Sequence, residues 1–233
     1  MPTPNPAAQR IFADCAATTQ EFLATFAEDR TPAGVVRAVA GIHAYADVSI
    51  AGFQAEYRAQ GGPASACQAG CAYCCHGPVH LTPLETLHIV LHLASPAVSV
   101  DERTHWGERI GQQAARIDGL TVQGQIGRTI ACPFLLDDCC GIYAVRPLLC
   151  RGRNAFDAAP CRAGFADPTP PQSFTLLQEQ MLVGQCLVLG ILTELKRHGL
   201  PDSCGDLSLT LAHALRTPDT VGRWLAGDGP LAW

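Results

Sequence analysis

The sequence predicts a mainly α-helical fold broken by irregular cysteine-rich loops, on three observations. Helix-start signals recur along the chain, apolar residues fall at helical spacing in both flanks, and no segment sustains a period-two alternation. Two Gly- and Pro-rich stretches, 60–78 and 131–171, hold nine of the twelve cysteines. Irregular chain of this length is uncommon in a compact domain, so bound metal is the expected organiser.

Taken in order, Ile11 to Phe26 has helical apolar spacing, and Thr31-Pro32 opens a second helix with a capping hydroxyl and a first-turn proline. Ala33 to Ala59 continues it, with Val36, Val39, Ala40, His43, Ala46, Ile50 and Phe53 at helical spacing. These two segments predict an N-terminal helical hairpin. Thr82-Pro83-Leu84-Glu85 and Ser99-Val100-Asp101-Glu102 both fit the capping box, in which hydroxyl and carboxylate exchange bonds with each other's amides. Gln172 to Arg197 predicts a long apolar helix ending at His198-Gly199, with Pro201 as a stop, and Thr217-Pro218 opens the last helix. The expectation is a single domain over 1–233 with a metal-binding cysteine core at about 67–161, flanked by the hairpin and the C-terminal helices.

A 48% hydrophobic and 16% charged composition is that of an ordinary globular domain. The net charge is −5 and Lys196 is the only lysine, which argues against nucleic acid as a partner. The longest apolar stretch, Met181 to Leu195, is interrupted by Gln185 and falls short of the roughly 20 residues a membrane span needs. Met1 to Arg10 lacks the charged start and apolar run of a secretory signal, so a cytoplasmic protein is expected. A chain of this size needs no disulfide staples, and Cys74-Cys75 and Cys139-Cys140 are adjacent pairs ill suited to mutual bridging. Their clustering points to metal.

The first cluster reads Cys67-Gln-Ala-Gly-Cys71-Ala-Tyr-Cys74-Cys75, four cysteines in nine residues. Such spacing lets several sulfurs converge on one cation. The second comprises Cys132-Pro133-Phe134-Leu135, then Cys139-Cys140-Gly141-Ile142-Tyr143-Ala144-Val145-Arg146-Pro147-Leu148-Leu149-Cys150-Arg151, and finally Cys161. Together they resemble the YkgJ-type cysteine-cluster family of zinc- or iron-chelating domains, whose pattern runs CxxxCxxCC, CPxL, CxIYxxRPxxCR and a last Cys. The resemblance implies eight metal ligands: Cys67, Cys71, Cys74, Cys75, Cys132, Cys140, Cys150 and Cys161. Eight thiolates complete two tetrahedral zinc or iron sites, or hold one 4Fe-4S cluster with four to spare, and spacing leaves the choice open.

Cys139 stands where the family has a small or polar residue, which puts its role in question. Cys15, Cys186 and Cys204 lie outside the pattern and read as structural thiols. Arg146 and Arg151 flank Cys150 and are expected to offset the negative charge of a multi-thiolate site, with Tyr143 packing against it. His88 and His92 share a helix face but lack an HExxH pattern and read as packed histidines, while His76 and His80 are second-choice ligands. The leading function is therefore a metal-binding protein, with a protein partner for its helical surface as a further expectation. Two alternatives carry weight. One is an iron-sulfur enzyme resembling the flagellin lysine N-methylase, in which the same cysteine pattern occurs; no glycine-rich nucleotide loop supports it. The other is thiol redox chemistry at Cys71-Ala-Tyr-Cys74, whose crowding by further cysteines is unlike a redox CxxC that opens a helix.

Overall fold

The expected N-terminal hairpin is present in the computed structural model, which describes residues 5–126, 130–169 and 172–228; Met1 to Pro4 of the N-terminal stretch read above lie outside the described residues. Helix α1 (Pro6–Glu28) starts with Asn5 accepting from the Ala7 amide, and α2 (Pro32–Ala59) with Thr31 accepting from Gly34. The buried stripe of α1 is Ile11, Cys15, Thr19, Leu23 and Phe26. That of α2 is Val35, Ala38, Val39, Ile42, His43, Ala46 and Ile50, so Val36 and Ala40 face outward and the stripe starts one residue earlier than expected. Val39, His43, Ala46 and Ile50 alone are compatible with either choice of first residue, which is why the pattern misplaced the edge.

Helices α3 (Pro83–Ala94) and α4 (Val100–Ile117) both begin with the capping boxes read from sequence. The remaining helices are α5 (Val122–Ile126), α6 (Leu148–Gly152), α7 (Ala159–Ala166), α8 (Gln178–Arg197), α9 (Leu207–Arg216) and α10 (Thr220–Leu225). Strand content among the described residues is confined to two antiparallel pairs: β1 (His80–Leu81) with β4 (Gly205–Asp206), and β2 (Leu135–Leu136) with β3 (Cys139–Cys140). None of the helices among the described residues is long and apolar enough to cross a membrane.

Two predicted starts move. Helix α8 begins at Gln178 rather than Gln172, because Asn154 holds the preceding chain extended: its Oδ1 accepts from the Leu177 amide at 2.7 Å and its Nδ2 donates to the Leu177 carbonyl at 3.1 Å. Thr217 closes α9 instead of opening a helix, donating its hydroxyl to the His213 carbonyl at 2.9 Å. The last helix takes Asp219 as its cap, in a left-handed conformation (φ 46°) that a short side chain bonding its own turn tolerates.

One apolar core lies among α1, α2 and α8, with Leu23, Ile42, Leu187, Ile191 and Leu195 fully buried and Trp224 of α10 closing it. The other lies among α3, α4, α9 and the β2–β3 hairpin, around Leu81, Ile89, Trp106, Ile110, Phe134 and Leu211; Cys132, Cys140 and Cys150 pack against it. Helix α6 runs against α8 at close range, since a Cβ on Gly184 would lie 2.7 Å from the Leu148 carbonyl oxygen. Gly184→Ala is therefore expected to lower stability by about 1–3 kcal/mol through overpacking against backbone, although alanine is the better helix former. A urea midpoint equal to or above that of the wild type would refute this packing.

Between the cores runs a buried polar chain. Glu85 takes the Thr82 amide and hydroxyl at 2.9 and 2.8 Å on one oxygen, and the Leu148 amide at 2.8 Å on the other, so the cap of α3 also caps α6. His43 and His88 stand with ring centroids 5.6 Å apart, and burial, with help from nearby Arg151, lowers them to about 3 and about 4. Both are thus neutral when folded at neutral pH, whereas in the unfolded chain they protonate near 6.5. Below that pH the unfolded state takes up protons that the folded state refuses, so stability falls by up to about 1.4 kcal/mol per pH unit per histidine until the folded values are reached. The His88→Leu protein should show a shallower loss of urea midpoint between pH 6.5 and 4.5; an unchanged slope would contradict the assignment.

Candidate metal centre

The first cysteine segment is shaped by backbone turns that its glycines allow. Gly70, at φ 86°, adopts a left-handed conformation between Cys67 and Cys71, and the Cys71 amide donates to the Gln68 carbonyl at 3.0 Å. A 3-10 turn, Tyr73–His76, then carries Cys74 and Cys75. Successive residues of such a turn project about 120° apart, so the two sulfurs face different neighbours.

The second segment is docked on the first by two backbone bonds: Cys132 donates to the Cys75 carbonyl at 2.6 Å, and Ala66 donates to the Ala155 carbonyl at 2.9 Å. Asp137 and Asp138, both at positive φ, form the two-residue turn between β2 and β3, a conformation that aspartate accepts more readily than most residues. Arg109 of α4 clamps this hairpin through the Pro133 and Leu135 carbonyls, each at 2.7 Å. Gly141 is required where the chain leaves it, because a Cβ there would lie 2.5 Å from the Trp106 ring. Cys150 then sits on α6 and Cys161 on α7, which packs against the Tyr73–His76 turn.

The family-pattern cysteines of both segments lie near one another, and their mutual electrostatic influence divides them into two sets that overlap at Cys74. Cys75, Cys132, Cys140 and Cys150 form the inner one. Burial, with smaller contributions from Cys140 to both and from Cys132 and Cys74 to Cys150, pushes Cys132 and Cys150 up to about 12. Cys75 is raised by donating to Cys74, then by burial and by Cys132 and Cys150. Cys67, Cys71, Cys74 and Cys161 form the outer set: burial raises Cys161, as do Cys67, Cys71 and Cys74 beside it. Cys74 itself is lowered, first by the bond from Cys75 and then by Arg153. It is the junction of the two sets. Among the described residues no three His, Cys, Asp or Glu side chains stand in a ready-made metal-holding group, so the thiols are gathered but not closed on a point.

The donor set nevertheless suits a soft or borderline cation. All twelve cysteines are free, and mutually repelling thiolates packed this densely need a cation to ionise together. Cys139 is exposed at the hairpin edge, and Cys15 is buried in the first core.

The charged residues around the site differ from the expectation. Arg151 does not serve the thiolates: its guanidinium grips Asp47 at 2.7 and 2.5 Å and donates to His43 Nδ1 at 3.2 Å, tying α6 to α2. Arg146 does lie by Cys140, with its guanidinium 4.0 Å from the centre of the Tyr143 ring, and Tyr143 is exposed rather than packed into the cluster. The main cation is one that sequence reasoning missed, Arg153. It donates to the Cys74 carbonyl and, at 2.9 Å, to that of Pro78, and it lies close enough to Cys74, Cys132 and Cys150 to favour their ionised forms. Its signal was the second arginine of Cys150-Arg-Gly-Arg, which a two-residue step turns away from the first.

Of the histidines, His88 is buried as a packed residue, and His80 lies in β1 opposite Asp206. His76 bonds the Ala72 carbonyl at 3.0 Å through Nδ1 and meets Phe165 edge-on, 4.7 Å between centroids.

Residues 66–164 match the family model CxxCxxCC, described as "Putative zinc- or iron-chelating domain", which spans both cysteine segments and bears out the family resemblance. No significant match is found to a curated protein or to a solved structure.

Proposed function

We propose that the chain, whose residues 66–164 match a zinc- or iron-chelating domain model, binds two metal ions, each in a tetrahedral thiolate centre. Cys75, Cys132, Cys140 and Cys150 hold one, and Cys67, Cys71, Cys74 and Cys161 the other. The observation that carries this reading is that Cys75 neighbours Cys132 and Cys150 whereas Cys161 neighbours Cys67, Cys71 and Cys74, with Cys74, which also lies near Cys140 and Cys150, at the junction. Two sets of four favour two separate centres over a single cluster with four idle thiols. Four thiolates around a divalent ion keep a net charge of about −2, which Arg153 and Arg146 offset. Closing either set draws loops from both segments onto one ion, which makes the metal part of the fold.

Elemental analysis of anaerobically purified protein, with a visible spectrum, tests this. The expected result is two ions per chain, colourless for zinc. Four irons with four sulfides, and a broad visible band, would replace the two-centre reading with an iron-sulfur cluster. Metal at trace level would end it.

A further inference from the structure

The two cysteine sets are unequally placed. Cys132, Cys140 and Cys150 lie against the second apolar core, and Cys132 borders only a small cavity of about 30 Å³. Cys74 and Cys161 instead form part of the wall of an open cavity of about 360 Å³, whose other sides include Tyr73, His76, Phe165 and Phe174. The rings of this wall are ordered on one another: Phe165 lies 5.8 Å from Tyr73 and 4.7 Å from His76 between centroids. A cavity of this volume falls in the range that takes a small organic ligand.

We infer that the outer centre, Cys67, Cys71, Cys74 and Cys161, holds an exchangeable ion, reached through this cavity by a small planar aromatic chelating ligand, while the inner centre holds a fixed one. The inference rests on the two-centre reading above. Thiolate-bound metal leaves readily only when an incoming donor reaches it before the old bonds are lost, and the cavity gives that approach to the outer set alone. Aromatic walls favour a flat ligand with nitrogen or oxygen donors. Arg153 also lines the cavity, so discrimination against a bulky, non-planar chelator such as EDTA rests on the shape of the aromatic wall rather than on charge.

Gly164 allows the cavity to be blocked without disturbing the fold. It lies in α7 and lines the cavity, and the atoms nearest to a Cβ there belong to a side chain rather than to backbone, that of Gln172, with Cγ at 3.0 Å. The test uses the purified metal-loaded full chain, its metal content measured first, then exposed to excess 1,10-phenanthroline and sampled over time after desalting. One ion is expected to leave at least about tenfold faster than the other, and Gly164→Leu to slow that fast phase about tenfold with starting metal content and helical spectrum unchanged. EDTA at equal concentration should give a slower fast phase, and Cys161→Ser should carry one ion and lack the fast phase. Two ions leaving together, or a fast phase that Gly164→Leu leaves unchanged, would overturn the inference while the two-centre reading stands. Fewer than two ions at the start would overturn both.

Discussion

Removing metal from the purified protein is expected to unfold the cysteine segments while α1, α2 and α8 keep their core. The first core is built mainly by these long helices, with Leu84 and Leu87 of α3, Leu148 of α6 and Trp224 of α10 added, and its buried residues include no proposed ligand. The segments 60–81 and 131–169 contain only short helices, two-residue strands and turns. Their own backbone bonds, such as those from Ala66 to Ala155 and from Cys132 to Cys75, are few. Structural zinc contributes on the order of 10 kcal/mol in small thiolate modules, which exceeds what such a segment gains from local structure. Hydrogen exchange before and after chelator is the direct measurement. Amides of 66–77 and 132–147 should lose protection by at least about a hundredfold, and those of α1 and α8 by far less. If chelator strips the metal and those segments keep their protection, metal does not organise them.

The boundary between the legible and the hidden follows from how far each signal reaches along the chain. Capping boxes at Thr82 and Ser99 span three residues, and both read true. Thr217-Pro218 looks like a helix start by the same local rule but closes α9, because the His213 carbonyl is an available acceptor and Asp219 is the better cap. The start of α8 was hidden because Asn154, 23 residues upstream of Leu177, holds the chain straight. For the site, the cysteines and their family pattern were visible. Nothing in the spacing told Arg151 from Arg153. Arg151 is drawn away by Asp47, 104 residues distant in sequence, and only the packing of α6 on α2 reveals it.

Of the adjacent pair Cys139 and Cys140, only the second is expected to bind metal. The β2–β3 hairpin sets this register: Leu135 faces Cys140 and Leu136 faces Cys139, with the two-aspartate turn between. Successive strand residues point to opposite sides, so one thiol of the pair turns inward and the other outward. Cys140 turns inward, packed with Cys132 against the core that holds Phe134 and Trp106, whereas Cys139 is exposed. Gly141 locks this choice, since shifting the register by one residue would place a side chain where the Trp106 ring leaves no room. Cys140→Ser should therefore lose about half the bound metal, one ion of two, together with much of the stability that the ion contributes. Cys139→Ser should keep full metal content and change stability by no more than about 0.5 kcal/mol, as surface substitutions do. Both proteins, purified side by side, are compared by elemental analysis and thermal melting. Equal losses in the two, or the larger loss in Cys139→Ser, would mean that the hairpin register on which this assignment stands is wrong.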